Sequence, residues 1–182
     1  AASSAAGLAQ RLTMYKLRAA VEIEATEMSV SRGLESPPEG AVADPRHTAL
    51  GWRSYGAELG IPAVDWDAIR VENAIPETGQ ELKPNESFIL EHGFERLNGV
   101  DFKKGCYVGQ EVTARMKHKT ELKKGLARVA VMGMAEPGAT ITADGKPAGT
   151  LHTRSGDTAL AYLRFDRANA VMQAGDAEVR RI

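Results

Sequence analysis

The sequence predicts an α+β protein, with helices and irregular connections over its first two thirds and short strands over its last third. Two observations carry this. Apolar residues at helical spacing recur near Leu8 and Leu12 and again after the capping segment Asp65-Trp66-Asp67. From Gly125 onward, turn signals at Pro137-Gly138, Asp144-Gly145, Pro147, Gly149 and Ser155-Gly156 come at roughly ten-residue spacing, the rhythm of a small antiparallel barrel or sandwich. A boundary near residue 120 follows. It sets residues 1–120, an α+β region expected to be incomplete at its N-terminus, apart from residues 121–182, a small β domain.

Taken in order, Ala2–Met14 reads as a short helix, with Ala5, Leu8, Ala9 and Leu12 on one side. The chain opens Ala1-Ala2-Ser3-Ser4 without an initiator Met and enters this helix at once, so a leading segment is expected to be missing, removed or carried elsewhere. Val21, Ile23 and Ala25 alternate with Glu22, Glu24 and Thr26, which predicts a strand that Met28 and Val30 extend. Ser31–Gly40 holds Gly33, Pro37, Pro38 and Gly40 and reads as a loop. Strands are expected at Gly40–Ala43, ended by Asp44-Pro45, and near Leu50–Tyr55. A helix carrying Ile69–Asn73 should follow Asp65 and stop before Pro76. Lys83–Gly99 is irregular, and a short helix is expected over Val108–Arg115. The last third should place strands at Gly125–Val131, Thr140–Thr142, Gly149–Thr153 and Thr158–Arg164.

Composition narrows the function. The chain has 182 residues, 43% of them hydrophobic and 26% charged, within the ordinary globular range and long enough to bury a core without cross-links. A net charge of -1 gives no global pull toward nucleic acid or membrane. No apolar run approaches the roughly 20 residues of a spanning helix, and no signal peptide is evident. Cys106 is the only cysteine, which excludes an internal disulfide and points to a reducing compartment.

The chemistry concentrates around Cys106. Gly105 and Gly109 bracket it, Lys103 and Lys104 precede it, and a helix is expected to begin just after it. Free amides at a helix start and nearby cations both favour a thiolate, so Cys106 sits where a reactive thiol belongs. The structural alternative is a small buried hydrophobe, a common role for a free cysteine. With no second cysteine and no histidine pair nearby, a self-contained metal site is not expected. On the following helix Val108 and Val112 share a face. Glu111 and Arg115, at i and i+4, form either a surface ion pair or, with Gln110, a ligand-binding set. From Lys103 to Arg128 lie Lys103, Lys104, Arg115, Lys117, Lys119, Lys123, Lys124 and Arg128, opposed only by Glu111 and Glu121. This run is a solvated face, a site for an anionic ligand such as a folate glutamate tail, or an RNA contact. It lacks the interleaved aromatics of single-strand binders.

Lys104-Gly105-Cys106-Tyr107-Val108-Gly109-Gln110-Glu111 resembles the signature of the YgfZ family, folate-binding relatives of the glycine-cleavage T-protein (aminomethyltransferase) that support iron–sulfur enzymes. Further stretches resemble the same family: Arg11–Arg18, Asp44-Pro45-Arg46 with Leu50–Arg53, Arg70-Val71-Glu72 with Ile75-Pro76, Leu97–Val100, Gly145–Thr150 and Leu160–Arg164. The cysteine favours the iron–sulfur branch, because T-proteins with aminomethyltransferase activity generally lack it. One departure is that family members carry a further N-terminal segment, with part of the folate pocket and an acidic residue that T-proteins use in catalysis. The resemblance implies two T-protein-like folate-binding lobes, with mixed or antiparallel sheets and helices, in a ring with a small C-terminal antiparallel β-barrel. It implies tetrahydrofolate, or a one-carbon derivative, as cofactor, and iron–sulfur enzymes or assembly factors as partners. Gln110, Glu111 and Glu72 would orient the pterin, while Lys104, Arg115 and Arg70 would meet the anionic end. Cys106 would be the functional thiol, with Gly105, Tyr107 and Gly109 shaping its loop. The implied function is a tetrahydrofolate-binding accessory protein for assembling or repairing iron–sulfur cluster enzymes, in the cytoplasm of a bacterium or the mitochondrial matrix of a eukaryote. The alternatives are a folate-dependent aminomethyltransferase and a non-catalytic RNA- or protein-binding module.

Overall fold

The computed structural model describes residues 4–60, 62–107, 109–119, 121–168 and 171–182. Helix α1 spans Ala5–Tyr15 and buries none of its residues. Three strands follow: β1 (Ser29–Gly33), β2 (Val42–Ala43) and β3 (Trp52–Gly56). They form an antiparallel sheet in the order β1-β3-β2. Helix α2 covers Trp66–Glu72, and Asp65 caps it by accepting a hydrogen bond from the Ala68 amide at 2.9 Å. After a turn-rich stretch comes α3 (Gln110–Lys119). Six strands then close a barrel: β4 (Lys124–Met132), β5 (Thr140–Ala143), β6 (Lys146–Ser155), β7 (Thr158–Arg164), β8 (Met172–Ala174) and β9 (Ala177–Arg181), in the order β4-β7-β6-β5-β8-β9.

The barrel closes because its sequence supplies inward residues small enough to fill a narrow interior. Val129, Val131, Ile141, Ala148, Leu151, Ala159, Ala161, Leu163, Met172 and Val179 form one buried cluster. Alternating burial along β4 and β6 leaves the outer face polar. Closure also needs close backbone approach. A Cβ on Gly149 would lie 2.2 Å from the Tyr162 carbonyl oxygen, so only glycine fits where β6 meets β7. Tight turns at Asp144-Gly145, Gly156-Asp157 and Gly175-Asp176 join successive strands.

A second, smaller core gathers Leu50, Ile75 and Leu97, with Trp66 and Ile69 packed against it. Helix α2 lies over β6 and β7. This covers the outer side of Leu160, which is fully buried although its neighbours Ala159 and Ala161 point into the barrel. Between these layers Arg70 is enclosed, its side chain 1% exposed. Its guanidinium donates to Glu81 Oε2 at 2.9 Å, Asp67 Oδ1 at 2.8 Å, Thr153 Oγ1 at 3.0 Å, Gln80 Oε1 at 3.1 Å and the Ile75 carbonyl at 3.2 Å. The other Glu81 oxygen accepts from the Thr153 hydroxyl at 2.5 Å and its amide at 3.3 Å. One ion pair therefore joins α2, the 77–81 turn and strand β6.

Several sequence expectations change. The first helix is shifted to Ala5–Tyr15, and Ala2, in its expected first turn, lies outside the described residues. No strand forms over Val21–Thr26, despite its alternation. The paired strand begins at Ser29 and runs to Gly33, into the expected loop, because β3 offers partners for Ser29–Gly33. The strand expected at Gly40–Ala43 shrinks to Val42–Ala43, and the next starts at Trp52 after a 3-10 turn at Thr48–Leu50. Helix α3 extends to Lys119 rather than ending at Arg115. Val108, its expected first residue, lies outside the described residues, as does Thr120 beside the expected boundary. Strands β8 and β9, absent from the sequence reading, complete the barrel.

Glu81 gives the barrel contact a pH dependence. Burial raises its carboxyl, but hydrogen bonds from Thr153 and the Glu77 amide, with the charge of Arg70, outweigh this and hold it below the ordinary glutamate value. Because the folded value is the lower one, the stabilisation is complete above the unfolded value of about 4.3 and is lost as pH falls through the folded one. Glu81→Gln, which removes the one fully buried carboxylate from Arg70 and leaves only the more exposed Asp67 and Glu77, should lower unfolding free energy by about 3 kcal/mol at pH 7 in urea titrations. The loss should shrink as pH falls below 4; a variant as stable as the parent at pH 7 would show that the pair does not hold the layers together.

Candidate functional site

The Cys106 segment lies on the surface. Residues 101–107 run without helix or strand, and Cys106, Lys103, Lys104, Gly105 and Tyr107 are all exposed. The thiol is therefore open to solvent, not a packed hydrophobe. Its loop is shaped locally. The Asp101 carboxylate accepts from the Lys103 amide at 2.7 Å, and the Lys104 ammonium lies 5.6 Å from the centre of the Tyr107 ring. Gly109 adopts φ +85°, a left-handed conformation that turns the chain into α3. The Gln110 side chain, on the first residue of α3, reaches back to accept from the Tyr107 amide at 3.1 Å, while its own amide donates to the Tyr107 carbonyl at 3.3 Å. These two bonds close the 107–110 turn that leads into the helix. A side chain at Gly105 would meet open space.

The helix that follows is tethered at its far end. Lys117 pairs with Glu95 at 2.7 Å and lies 5.5 Å from the Phe102 ring centre, while His118 meets the same ring edge-on at 6.0 Å. Glu111, Val112 and Arg115 are exposed on α3. Beside the motif is a cavity of about 390 Å³ lined by Ile89, Asn98, Gly99, Val100, Asp101, Lys104 and Tyr107. It combines apolar walls with a cation and a carboxylate, and of the motif it uses Lys104 and Tyr107.

The other expected ligand residues lie elsewhere. Arg70 is enclosed in the network that joins α2 to the barrel, with its donors turned to Glu81, Asp67, Gln80 and Thr153. Glu72 is exposed at the end of α2 and pairs with Arg128 at 2.7 Å. The eight-residue basic run divides accordingly: Lys117 and Arg128 are ion-paired, Lys103 and Lys104 flank the thiol, and the Lys119 side chain lies outside the described residues.

Arg32 has the features sought in an anion-binding residue, and the sequence reading passed over it as loop. Its guanidinium stacks 4.1 Å from the Trp66 ring centre and makes no hydrogen bond or ion pair among the described residues. It borders a cavity of about 430 Å³ with Ser29, Val30, Ser31, Glu58, Leu59 and Trp66. Burial draws this guanidinium below its ordinary value. Glu77 opposes that, and the nearby cations Arg46, Arg53 and Arg70 add to it. The neighbouring Asp44 is already bound to Arg46 at 2.9 Å and Arg53 at 2.6 Å. Burial raises its carboxyl, but hydrogen bonds from Arg46 and Arg53 outweigh this and leave it at about 2. Asp44 is thus committed to those two arginines. The sequence signal for Arg32 was one arginine in Ser29–Gly33, a segment whose pairing depends on distant β3.

Comparison with known proteins agrees with the barrel. Residues 123–182 match the family described as CAF17, C-terminal beta-barrel domain. The iron-sulfur cluster assembly factor IBA57, mitochondrial, of Mus musculus is 34% identical over 197 residues, covering 90% of this chain and 55% of the relative. Its Homo sapiens counterpart is 33% identical, covering 88% and 54%. The putative transferase At1g60990, chloroplastic, of Arabidopsis thaliana is 36% identical over 126 residues, covering 65% and 28%. The chain spans about half the length of the IBA57 relatives. These matches support the wider superfamily that the Lys104–Glu111 motif resembles. No helix among the described residues is long and apolar enough to cross a membrane.

An exposed thiol whose side chain supports no packing has a simple consequence. Cys106→Ala should change unfolding free energy by no more than about 0.5 kcal/mol, and the folded protein should titrate one thiol with a water-soluble disulfide reagent without denaturant. A thiol that reacts only after unfolding would show that the loop packs over it.

Proposed function

We propose, for a chain related to the IBA57 assembly factors and carrying a CAF17-type C-terminal barrel, a role in supporting iron–sulfur cluster assembly through Cys106, with tetrahydrofolate as bound cofactor. The observation that carries the first part is the exposure of Cys106 on a loop in which Lys103 and Lys104 precede it and a Gln110–Tyr107 turn follows it. A thiolate is a soft ligand suited to iron in a cluster. The cluster is cargo here, and the exposed loop lets a partner bring iron to the sulfur without unfolding any core. The relatives' mitochondrial names extend the reading to the mitochondrial matrix in a eukaryotic cell.

For folate the residues present fit the chemical demand. The cavity beside the motif offers Ile89, Val100 and Tyr107 for a flat ring, with Asp101 and Asn98 to accept or donate hydrogen bonds. Lys104, on the wall of this cavity, is the cation suited to a carboxylate, and it makes no ion pair among the described residues. Tetrahydrofolate would supply a carrier for one-carbon units. This chain's residues would bind and orient it, keeping Gln110 as the closure of the 107–110 turn and Arg70 as the lock on the barrel.

The two parts separate experimentally. In cells lacking the complete protein, Cys106→Ser should fail to restore the activity of iron–sulfur enzymes although it accumulates at the parental level; full restoration would sink the thiol role. Calorimetric titration of the complete protein with tetrahydrofolate should saturate, and Lys104→Met should weaken binding roughly tenfold, as expected for loss of a charge-assisted contact. Absence of saturation would remove folate, and turnover of an aminomethyl donor would instead favour the transferase reading.

A further inference from the structure

The outer face of the barrel carries a third cavity, whose lining does not include Cys106. It measures about 200 Å³ and lies between strands β6 and β7, which supply Thr150, His152 and Tyr162, and the turn that follows Glu81, which supplies Lys83, Glu86, Ser87 and His92. Thr150 and Tyr162 face each other across the β6–β7 pairing. Their register fixes one wall.

The lining groups are unusual in having few protein partners. His92 is 3% exposed and stacks on Tyr162, with ring centres 5.4 Å apart and planes 11° from parallel. Its Nδ1 lies 3.0 Å from the Phe88 carbonyl oxygen, which only accepts, so Nδ1 carries the proton. In the neutral ring Nε2 then presents a lone pair, and it is the ring's one remaining polar atom. Tyr162 is spent otherwise, since its hydroxyl donates to Glu91. Glu81 forms the floor and is already satisfied by Arg70, Thr153 and the Glu77 amide. Among the described residues, the side chains of Lys83, Glu86, Thr150 and His152 make no hydrogen bond or ion pair. The cavity mouth therefore holds one free cation and one free carboxylate, both on exposed residues. Deeper in are a hydroxyl, a half-buried imidazole that burial keeps toward its neutral form, and His92 Nε2.

A guest of a single charge meets a conflict. An anion on Lys83 would face the unpaired Glu86, and a cation on Glu86 would face Lys83. A guest with both charges satisfies both, its carboxylate toward Lys83 and Thr150 and its ammonium toward Glu86 and His92 Nε2. The volume sets the size: at water's share of about 30 Å³ each, the cavity holds roughly six or seven heavy atoms. We propose that this cavity is a binding site for a small zwitterionic amino acid.

L-alanine tests it on the full chain beside propionate, which is alanine without its ammonium, and ethylamine, which is alanine without its carboxylate. Binding is read by ligand-observed NMR and by amide shifts in residues 81–92 and 150–162. L-alanine should saturate, and the other two should bind at least roughly tenfold more weakly, the cost of one lost charge-assisted contact. Lys83→Met and Glu86→Gln, both on exposed turn residues, should each weaken L-alanine by a similar factor. Cys106→Ala should leave it unchanged, so a failed Cys106 reading does not carry this one with it. Propionate or ethylamine binding as well as L-alanine, no saturation by any of the three, or unchanged L-alanine affinity in both charge variants would each overturn the assignment.

Discussion

Arg70 brings a full charge into a region that water does not reach, and the fold is arranged to make that tolerable. An isolated buried guanidinium would cost several kcal/mol in lost hydration. Here its five donors are met by two carboxylates, an amide oxygen, a hydroxyl and a main-chain carbonyl drawn from three separate pieces of chain. Each acceptor is held in turn: Glu81 by Thr153 and the Glu77 amide, Asp67 by its place one turn before Arg70 on α2. Such a pair adds less net stability than its Coulomb energy implies, but it is directional. Apolar contacts between α2 and the barrel would tolerate sliding. The geometry around Arg70 fixes where α2 sits over β6 and β7.

That fixed joint defines two regimes in the molecule. The barrel and its α2 cover have a continuous buried cluster, a closed ladder of strands and a satisfied ion pair. The Cys106 segment has none of these. It is held by the Gln110–Tyr107 turn, the Asp101–Lys103 turn and the Lys117–Glu95 pair, all partly or fully exposed. Exposed contacts of this kind are individually worth about 1 kcal/mol or less, so this segment opens before the barrel does. The contrast follows from local sequence: Lys103–Arg128 is too rich in charge to bury, while Val129 to Val179 supplies aliphatic and small residues at strand spacing.

The same division explains what was legible in the sequence. The barrel's turns were readable because Asp144-Gly145 and Ser155-Gly156 punctuate the chain whatever their surroundings. Strands β8 and β9 were not, since three and five residues give too little alternation to detect, and they exist by pairing with β5 and β4. Val21–Thr26 failed the other way: its pattern was right for a strand, but β3 pairs with the next segment instead. The capped start of α2 was local and was found. Arg70 and Glu72, two residues apart on that helix, looked equally suited to a ligand, and only tertiary packing assigns one to a buried ion pair and the other to a surface pair with Arg128. Arg32 was hidden because its meaning depends on Trp66, which lies far along the chain.

A thiol that passes on a metal-bound cargo faces a requirement that a structural cysteine does not. It must be reachable by a second protein, and its own chain must not rearrange its core to let go. Cys106 meets both conditions through its position on the lightly held loop, while the barrel behind it is locked through Arg70. The lysines beside it contribute charge without burial, so the positive field they set up around the sulfur is sensitive to salt. A buried Cys106 would gain packing and lose access. A Cys106 on an untethered tail would keep access but leave the approach direction unset. The Gln110–Tyr107 turn and the Lys117 tether occupy the middle ground, restraining the loop into α3 and the far end of the helix while leaving the sulfur in solvent. In physical terms, the separation between a rigid barrel and a restrained, exposed thiol loop is the arrangement that an assembly role needs.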